Sequence, residues 1–531
     1  MKTLERQTTP KTPSNRSTAE AKATNGQKNS SNGSLTEKLE TKLADPATSP
    51  EFDLHQTTNE ILSDVGMSTA DSGGKLSFYG QDPILPSPIR FGAMAAAALA
   101  ARSVALAALW RSRTGEGQDI SLDVRKAVRR FCGFFEGKWE TLNGRTPVGG
   151  IGADNPFFGL SITPPFFKET RDGRHVVALN IYPEVGTRAL NFLKCSPNSE
   201  SFGNAIRQWQ AEELETAAAE AGLVIAMVRT NEEFRKERQY TDVLSSMPLI
   251  TLEKIGDSEP IPFQQGAKSP LDGIRAFGMG HVIAGAGIGR DLAAYGADVL
   301  NIWRPHGVEI EGFALDVQVG MRSTVLDKSR EDRAKFDRLL TDADIFFANK
   351  RPGYLKTNGL DAEQLSAKKP GLIHATVVLH GEKGPWANRP GFDEIGATVT
   401  GLFCVEGEPG KPKQPPVIPI CDNALGWLGT IGIVEALRRR AVEGGSYRVV
   451  VSLTRTVLWM LSLGIFDKAY ANATAGSTEE HKYVAPDLFT AETPLGTYQG
   501  MTDQVIMSRM REAYRTVLVP RGSSKPEWLP S

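Results

Sequence analysis

The chain has 531 residues, too many for one ordinary core, so two or more packed units are expected once any unstructured tail is set aside. Its 61 basic and 62 acidic side chains leave a net charge of -1, and 40% of residues are apolar. That balance describes a soluble globular protein with no bias toward polyanions, so nucleic acid is excluded as a partner.

The first 50 residues are rich in Ser, Thr, Asn and Lys and poor in large apolar groups. Such a segment cannot repay the entropy of ordering, and residues 1–50 are predicted to form a disordered tail. They hold no apolar core for a secretory signal, and four cysteines without a Cys-x-x-Cys pair fit a reducing, cytoplasmic setting. Residues 92–110 are the most apolar run, interrupted by Arg102 and Ser103, and are predicted to be a buried helix and not a membrane span. "TRDGRHVVALNI" predicts a hairpin turning at Asp172-Gly173, followed by helices that would cover a small sheet. Residues 256–270, rich in Pro, Gly, Gln and Ser, are predicted to be a linker.

From residue 271 the pattern changes to a regular alternation of short β-type runs and helical segments. "LDGIRAF", "ADVLNIWR", "TVLD", "DIFFANKRPG" and "GLIHATVVLHG" are the strands, and "AGAGIGRDLAAYG", "REDRAKFDRLLTDA" and "DAEQLSAKKP" the helices between them. This alternation specifies right-handed parallel βαβ units. The predicted class is α/β: a doubly wound, Rossmann-like parallel large domain with a smaller α+β domain. The boundaries are 1–50 (tail), 51–255 (N-terminal lobe), 256–270 (linker), 271–460 (large lobe) and 461–531 (C-terminal segment). An internal echo accompanies this. Residues 92–128 and 424–457 share the layout of an apolar helix, a glycine turn and a strand, but 83–115 contains no Asp or Glu.

In doubly wound sheets ligands lie beyond the carboxyl ends of the strands, so the residues there carry the chemistry. "GAGIGR" has glycines, but not at the dinucleotide spacing, and the following strand ends in Arg304 where a nicotinamide enzyme wants an acid. Lys328, Lys350, Arg351 and Lys356 add cations at other strand ends, a set suited to a ligand with several phosphates. No His-x-x-x-His pair is present, and no metal site is expected. "PPVIPICDNALGWLG" places Asp422 where a proline-rich approach meets an apolar helix. By position alone it is a helix cap or a presented carboxylate.

"LDGIRAFGMGHVIAGAGIGRDLAAYGADVLNIWRPHG", "LDKS", "ANKRPGYLKTNGL", "PGLIHATVVLHGEKGPW", "PGFDEIGATVTGL" and "PICDNALGWLG", in this order, resemble the family III coenzyme A transferases, over about 271–460. The resemblance implies an acyl-CoA:carboxylate CoA-transferase with Asp422 as nucleophile. It implies CoA contacts at Val282, Arg304, Leu326, Lys328, Asn349, Lys350 and Arg351. Thr357 stands where the family often has a further arginine. Acyl-CoA and a carboxylic acid are the implied substrates, with CoA as the group carried. The family's interlocked dimers imply a homodimer, or one chain that mimics a dimer internally. "VGGIG" lies where relatives carry a glycine flap, implying that role for Gly149, Gly150 and Gly152. The racemase branch reads Gly-His-Asp where this chain has Gly391-Phe392-Asp393, and phenylalanine carries no proton. That disfavours an acyl-CoA racemase or epimerase, and Asp393 is read as a loop or cap residue. A catalytically degenerate acyl-CoA-binding protein is the other alternative. The small-domain segment precedes the nucleotide-binding half, so the 51–255 lobe reads as a permuted second half that lacks the nucleophile.

Overall fold

A computed structural model describes residues 33–131, 133–146, 159–161, 165–418 and 420–530. Of the expected 1–50 tail, residues 1–32 lie outside the described residues and residues 33–50 are not a tail. Helix α1 (Leu35–Ala44) lies there, closed by a Ser34/Glu37 capping box and anchored by buried Leu39. The sequence reading weighed polar composition over this local signature. Helix α2 (Leu54–Ser63), capped by Asp53, follows.

Strand β1 (Leu76–Tyr79), helix α3 (Phe91–Thr114) and strand β2 (Ile120–Asp123) come next, with β1 and β2 parallel. Residues Val505–Met507 of the C-terminal segment complete that three-stranded sheet. Among the described residues, α3 alone is long and apolar enough to cross a membrane by length and composition, and its apolar stretch is wholly buried inside the protein. Even Arg102 is covered: it pairs with Asp291 at 2.8 Å and Asp503 at 2.9 Å, which is how a charge survives in that position.

The predicted hairpin forms from β3 (Phe167–Glu169) and β4 (His175–Ala178), turning at Gly173 with φ +71°. Strand β5 (Ile225–Met227) pairs antiparallel with β4. Helices α4 (Pro183–Leu193), α5 (Ser199–Ile206) and α6 (Ala211–Glu220) cover this sheet and close a small separate core around Val176, Leu214 and Ile225.

The large sheet contains β6 (Thr251–Gly256), β7 (Arg275–Met279), β8 (Asp298–Trp303), β9 (Arg322–Val325), β10 (Ile345–Ala348), β11 (Ile373–Val378) and β12 (Ser446–Ser452). Their spatial order is β9-β8-β7-β10-β11-β12-β6, parallel throughout except for β6 at the edge. The central strands are buried on both faces, which is why they read as unbroken apolar runs such as "IFFA". Connecting helices are α7 (Ala284–Ala294), α8 (Glu311–Val317), α9 (Arg330–Thr341), α10 (Pro352–Thr357) and α11 (Ala362–Lys368). Three have a local start signal: Ser329 caps α9, Pro352 opens α10 and Asp361 caps α11. Helices α12 (Asp393–Thr400), α13 (Asp422–Glu443) and α14 (Leu453–Ser462) complete this half.

The break expected at 256–270 does not separate two bodies. Strand β6, placed in the N-terminal lobe by the sequence, pairs with β12 of the large sheet, and α3 packs directly on α13. The internal echo is real at the level of elements. Parallel β1 and β2 bracket α3 as parallel β11 and β12 bracket α13, and Phe91 opens the first helix where Asp422 opens the second.

Candidate functional site

The strand order reverses between β7 and β10, and the segments leaving those two strands form the walls of the site. After β7 the chain runs Gly280-His281-Val282, and side chains from other strands hold each amide. Asn301 exchanges hydrogen bonds with both backbone groups of Gly280, at 3.0 and 2.8 Å. Asn349 does the same for His281, at 3.1 and 2.7 Å. The Val282 amide donates to Glu309 at 3.1 Å. So held, Val282 adopts φ +61°, a left-handed conformation costly for a β-branched residue and of the kind that persists where function requires it.

Glu309 also accepts from Ile310 N–H and from the Tyr182 hydroxyl at 2.8 Å, and the Tyr182 ring lies 6.1 Å from that of Phe392. The small unit therefore reaches into the switch-point loop. Burial pushes the Glu309 carboxyl up, and burial with neighbouring Glu309 pushes the Tyr182 hydroxyl well up. Sequence gave no hint of this pair, because its members stand 127 residues apart.

A cleft of about 180 Å³ opens between these walls, lined among others by Val282, Asn349, Lys350, Arg389, Phe392 and Asp422. Asp422 is the first residue of α13, and whether it is the cap is decided by Asp393. One Asp393 oxygen accepts from the amides of Ile420, Cys421 (2.8 Å) and Asp422 (3.2 Å), and the other accepts from the Cys421 thiol at 3.2 Å. Asp393 does the capping from 29 residues away. Among the described residues the Asp422 side chain accepts no hydrogen bond from its own helix, and it lines the cleft. In the earlier copy Asp82 caps α3 in the same manner, accepting from Gly92 N–H at 3.1 Å and Ala93 N–H at 2.6 Å.

Three carboxyls crowd this point. Burial and the neighbouring Asp393 and Glu394 push Asp422 well above the usual carboxylate range. Burial raises Asp393 as well, and burial with Asp393 pushes Glu394 up to about 8. A raised carboxyl that lines a cleft is a candidate functional group. Cys421 is buried and its thiol is pushed well up by burial and by Asp393, which makes it an inert packing group.

Cations line the same cleft, Lys350 and Arg351 among them. Burial and the adjacent Arg304 lower Lys350 to about 8, with Glu309 opposing the shift, while burial, Lys350 and Arg304 keep His281 neutral. Arg304 is exposed at the end of β8, and Arg351 is exposed at the head of α10. Lys328 lies 5.4 Å from the Tyr354 ring, beside the same strand ends. The Leu326 side chain is buried in the apolar core around Phe336 and Phe346. The structure thus brings Val282, Asn349, Lys350, Arg351 and Asp422 to one cleft, and Arg304, Leu326 and Lys328 are not among the residues that line it. Gly149, Gly150 and Gly152 lie outside the described residues.

The "GAGIGR" glycines are packing devices and not a phosphate loop. A Cβ on Gly285 would meet the Asn349 side chain at 2.5 Å, and Gly287 touches Gly426 where α7 crosses α13. That crossing brings the helix of the switch point against the helix that begins with Asp422.

Residues 271–512 match the family model described as CoA-transferase family III. This segment belongs to that family. The match extends past the 271–460 span of the sequence resemblance into the C-terminal strands. Among curated relatives, the succinyl-CoA--L-malate CoA-transferase alpha subunit of Chloroflexus aurantiacus is 32% identical over 228 residues, 39% of this chain and 53% of that protein. The acetyl-coenzyme A transferase nodX of Hypoxylon pulicicidum is 30% identical over 209 residues, 38% of this chain and 35% of that protein. A solved CAIB/BAIF family protein from Brucella suis is 27% identical, covering 43% of this chain and 65% of that one, with a TM-score of 0.34. The chain spans about half the length, or less, of these curated relatives.

Proposed function

We propose that this protein moves CoA from an acyl-CoA thioester to an acceptor carboxylic acid, with Asp422 as the nucleophile. One observation carries the reading: Asp393 caps α13, which leaves the Asp422 carboxylate free to line a cleft that Lys350, Arg351 and Arg389 also line. The family match and the names of the relatives support the reaction class.

An Asp422 oxygen attacks the thioester carbonyl, the C–S bond breaks, and the CoA thiolate leaves from a mixed anhydride. The thiolate then attacks the Asp422 carbonyl, releasing the first acid and forming an aspartyl-CoA thioester. The acceptor carboxylate attacks that carbonyl and expels the thiolate. Finally the thiolate attacks the acceptor's acyl carbon, which forms the new thioester and returns Asp422 as a carboxylate. Burial that raises the Asp422 carboxyl also strips solvent from it, which makes the ionised form a stronger nucleophile. Lys350, Arg351 and Arg304 would meet the phosphates of CoA, and Val282 its nucleotide end. Phe91 occupies the corresponding place in the earlier copy, so the chain carries one nucleophile for its two related halves.

The test is mass spectrometry of the protein after incubation with acetyl-CoA and succinyl-CoA, paired with turnover. A covalent adduct should map to the peptide holding Asp422, and Asp422→Asn should lose turnover by about a thousandfold or more while remaining folded. Wild-type turnover in Asp422→Asn would sink the reading.

A further inference from the structure

The family match stops at residue 512, and the chain beyond it runs along the outer edge of the large sheet. Gly320, just before β9, donates its N–H to the Val517 carbonyl at 2.9 Å. A tight turn follows, closed by Ser523 N–H donating to the Pro520 carbonyl at 3.1 Å, with Gly522 at φ +74°. The returning chain lies against β9. Ser524 N–H donates to the Ser323 carbonyl at 2.7 Å, Gly522 N–H to the Ser323 hydroxyl at 2.8 Å, and Leu529 N–H to Asp298, the first residue of β8, at 2.9 Å. Thr324 and Ser523 are antiparallel partners, so Arg521 comes level with Leu326, just past the carboxyl end of β9. The glycine is needed for this approach, because a Cβ on Gly522 would meet the Val325 side chain at 2.4 Å.

Arg521 is exposed at the apex of that turn, lies over the Trp303 ring at 5.4 Å and pairs with Glu311 in the first turn of α8. Trp303 ends β8, and its ring lies 4.5 Å from that of His281, which lines the cleft holding Asp422. The Arg521 charge also counters the rise of the Glu309 carboxyl and of the Tyr182 hydroxyl, the pair that holds the Val282 loop. Arg304 directly follows Trp303 and Lys328 directly follows Asp327, and both cations are exposed. Arg304, Lys328 and Arg521 thus share the carboxyl ends of β8 and β9, where ligands of such sheets lie. The anions there are Asp327, Glu309, which is engaged by Val282, Ile310 and Tyr182, and Glu311, whose side chain is 64% exposed. An ion pair that open to solvent contributes little, so Arg521 exchanges Glu311 for a phosphate at small cost. Lys350 and Arg351 line the cleft with Asp422, whereas β8 and β9 stand one and two strands further out from β7. In an acyl-CoA the phosphate most distant from the thioester along the molecule is the ribose 3′-phosphate.

We propose that Arg521 binds the 3′-phosphate of the CoA nucleotide, which makes the turn at 520–523 the outer wall of the acyl-CoA site. This rests on the transferase reading, because it takes CoA as the ligand. A guanidinium suits the task, since its fork of N–H donors matches phosphate oxygens.

The experiment is isothermal titration of the full-length protein with CoA and with dephospho-CoA, which lacks only the 3′-phosphate. The wild type should bind CoA at least about tenfold more tightly than dephospho-CoA. Arg521→Gln should weaken CoA by about tenfold, the lower end for one charge-assisted hydrogen bond, and change dephospho-CoA by less than about twofold. Arg521→Lys, which keeps the charge without the fork, should fall between the two. Lys525→Gln removes an exposed cation from the same strap beyond the turn and should leave both affinities within about twofold, which separates a contact from a general charge effect. An unchanged CoA affinity in Arg521→Gln, equal weakening of CoA and dephospho-CoA, or a matching loss in Lys525→Gln overturns the Arg521 assignment and leaves the transferase reading standing. A wild type that binds no CoA overturns both. Full turnover in Asp422→Asn removes the nucleophile alone, and the difference between CoA and dephospho-CoA still decides Arg521.

Discussion

Replacing in turn Asp422, which opens α13, and Asp393, which caps it from the start of α12, separates a cap from the proposed nucleophile. Asp393→Ala withdraws the acceptor from three buried amides, those of Ile420, Cys421 and Asp422. A buried donor left unsatisfied costs about 1–3 kcal/mol. Local relaxation places the sum near the low end, at about 3 kcal/mol. Unfolding entropy of about 2.1 cal/mol/K per residue over 531 residues is about 1.1 kcal/mol/K, so the melting temperature should fall by about 3 °C. Asp422→Asn should act in the opposite direction. The folded-state pKa of Asp422 is raised, so its ionised form opposes folding at any pH above the unfolded value of about 3.9. Removing it stabilises the protein at neutral pH, and the gain vanishes as pH falls below about 4. Differential scanning calorimetry at pH 7 and at the lowest pH where both variants remain folded reads both effects. If Asp422→Asn lowers the melting temperature as much as Asp393→Ala does, Asp422 is itself the cap, and the reasoning that frees it for chemistry fails.

The raised Asp422 carboxyl must be ionised to attack, so kcat/KM should rise with pH through a limb lying above the ordinary carboxylate range. Glu394→Gln removes one of the two like charges that hold it up and should move that limb to lower pH; an unmoved limb refutes the coupling. Lys350 loses its proton as pH rises through about 8, so the KM for acyl-CoA should climb above that pH, and Lys350→Met should raise it about tenfold at neutral pH with kcat unchanged. A Cβ at Gly285 drives into Asn349, which holds both backbone groups of His281, so Gly285→Ala should raise the acyl-CoA KM by about an order of magnitude. Isothermal titration with CoA checks this, and unchanged affinity would show that the loop is not set by Asn349. Tyr182→Phe deletes one of the hydrogen bonds to Glu309 and should cost about 1 kcal/mol of stability, read from urea unfolding.

Local pattern determined much of this protein. Strand runs bounded by glycine and alternating with helical segments are a property of neighbours in the chain, so the parallel half, its strand ends and the cations on them were all legible from residue 271 onward. The Asp172-Gly173 hairpin and the apolar helix at 92–110 were legible for the same reason. Local composition misled where a short capped helix, α1, hid in a polar segment, and where the 256–270 stretch looked like a boundary although β6 joins the large sheet across it. The site divided along the same line. A carboxylate at a helix start can be a cap or a reagent, and the sequence around Asp422 is the same in both cases. Only the return of Asp393, 29 residues earlier, onto the α13 amides shows which carboxylate does the capping. Likewise the Tyr182–Glu309 bond and the Gly287–Gly426 crossing depend on groups more than a hundred residues apart. Hydrophobic periodicity fixes which face of an element is buried. The partner that satisfies a buried donor or charge is set by how the elements pack, and that information exists only once the chain has folded.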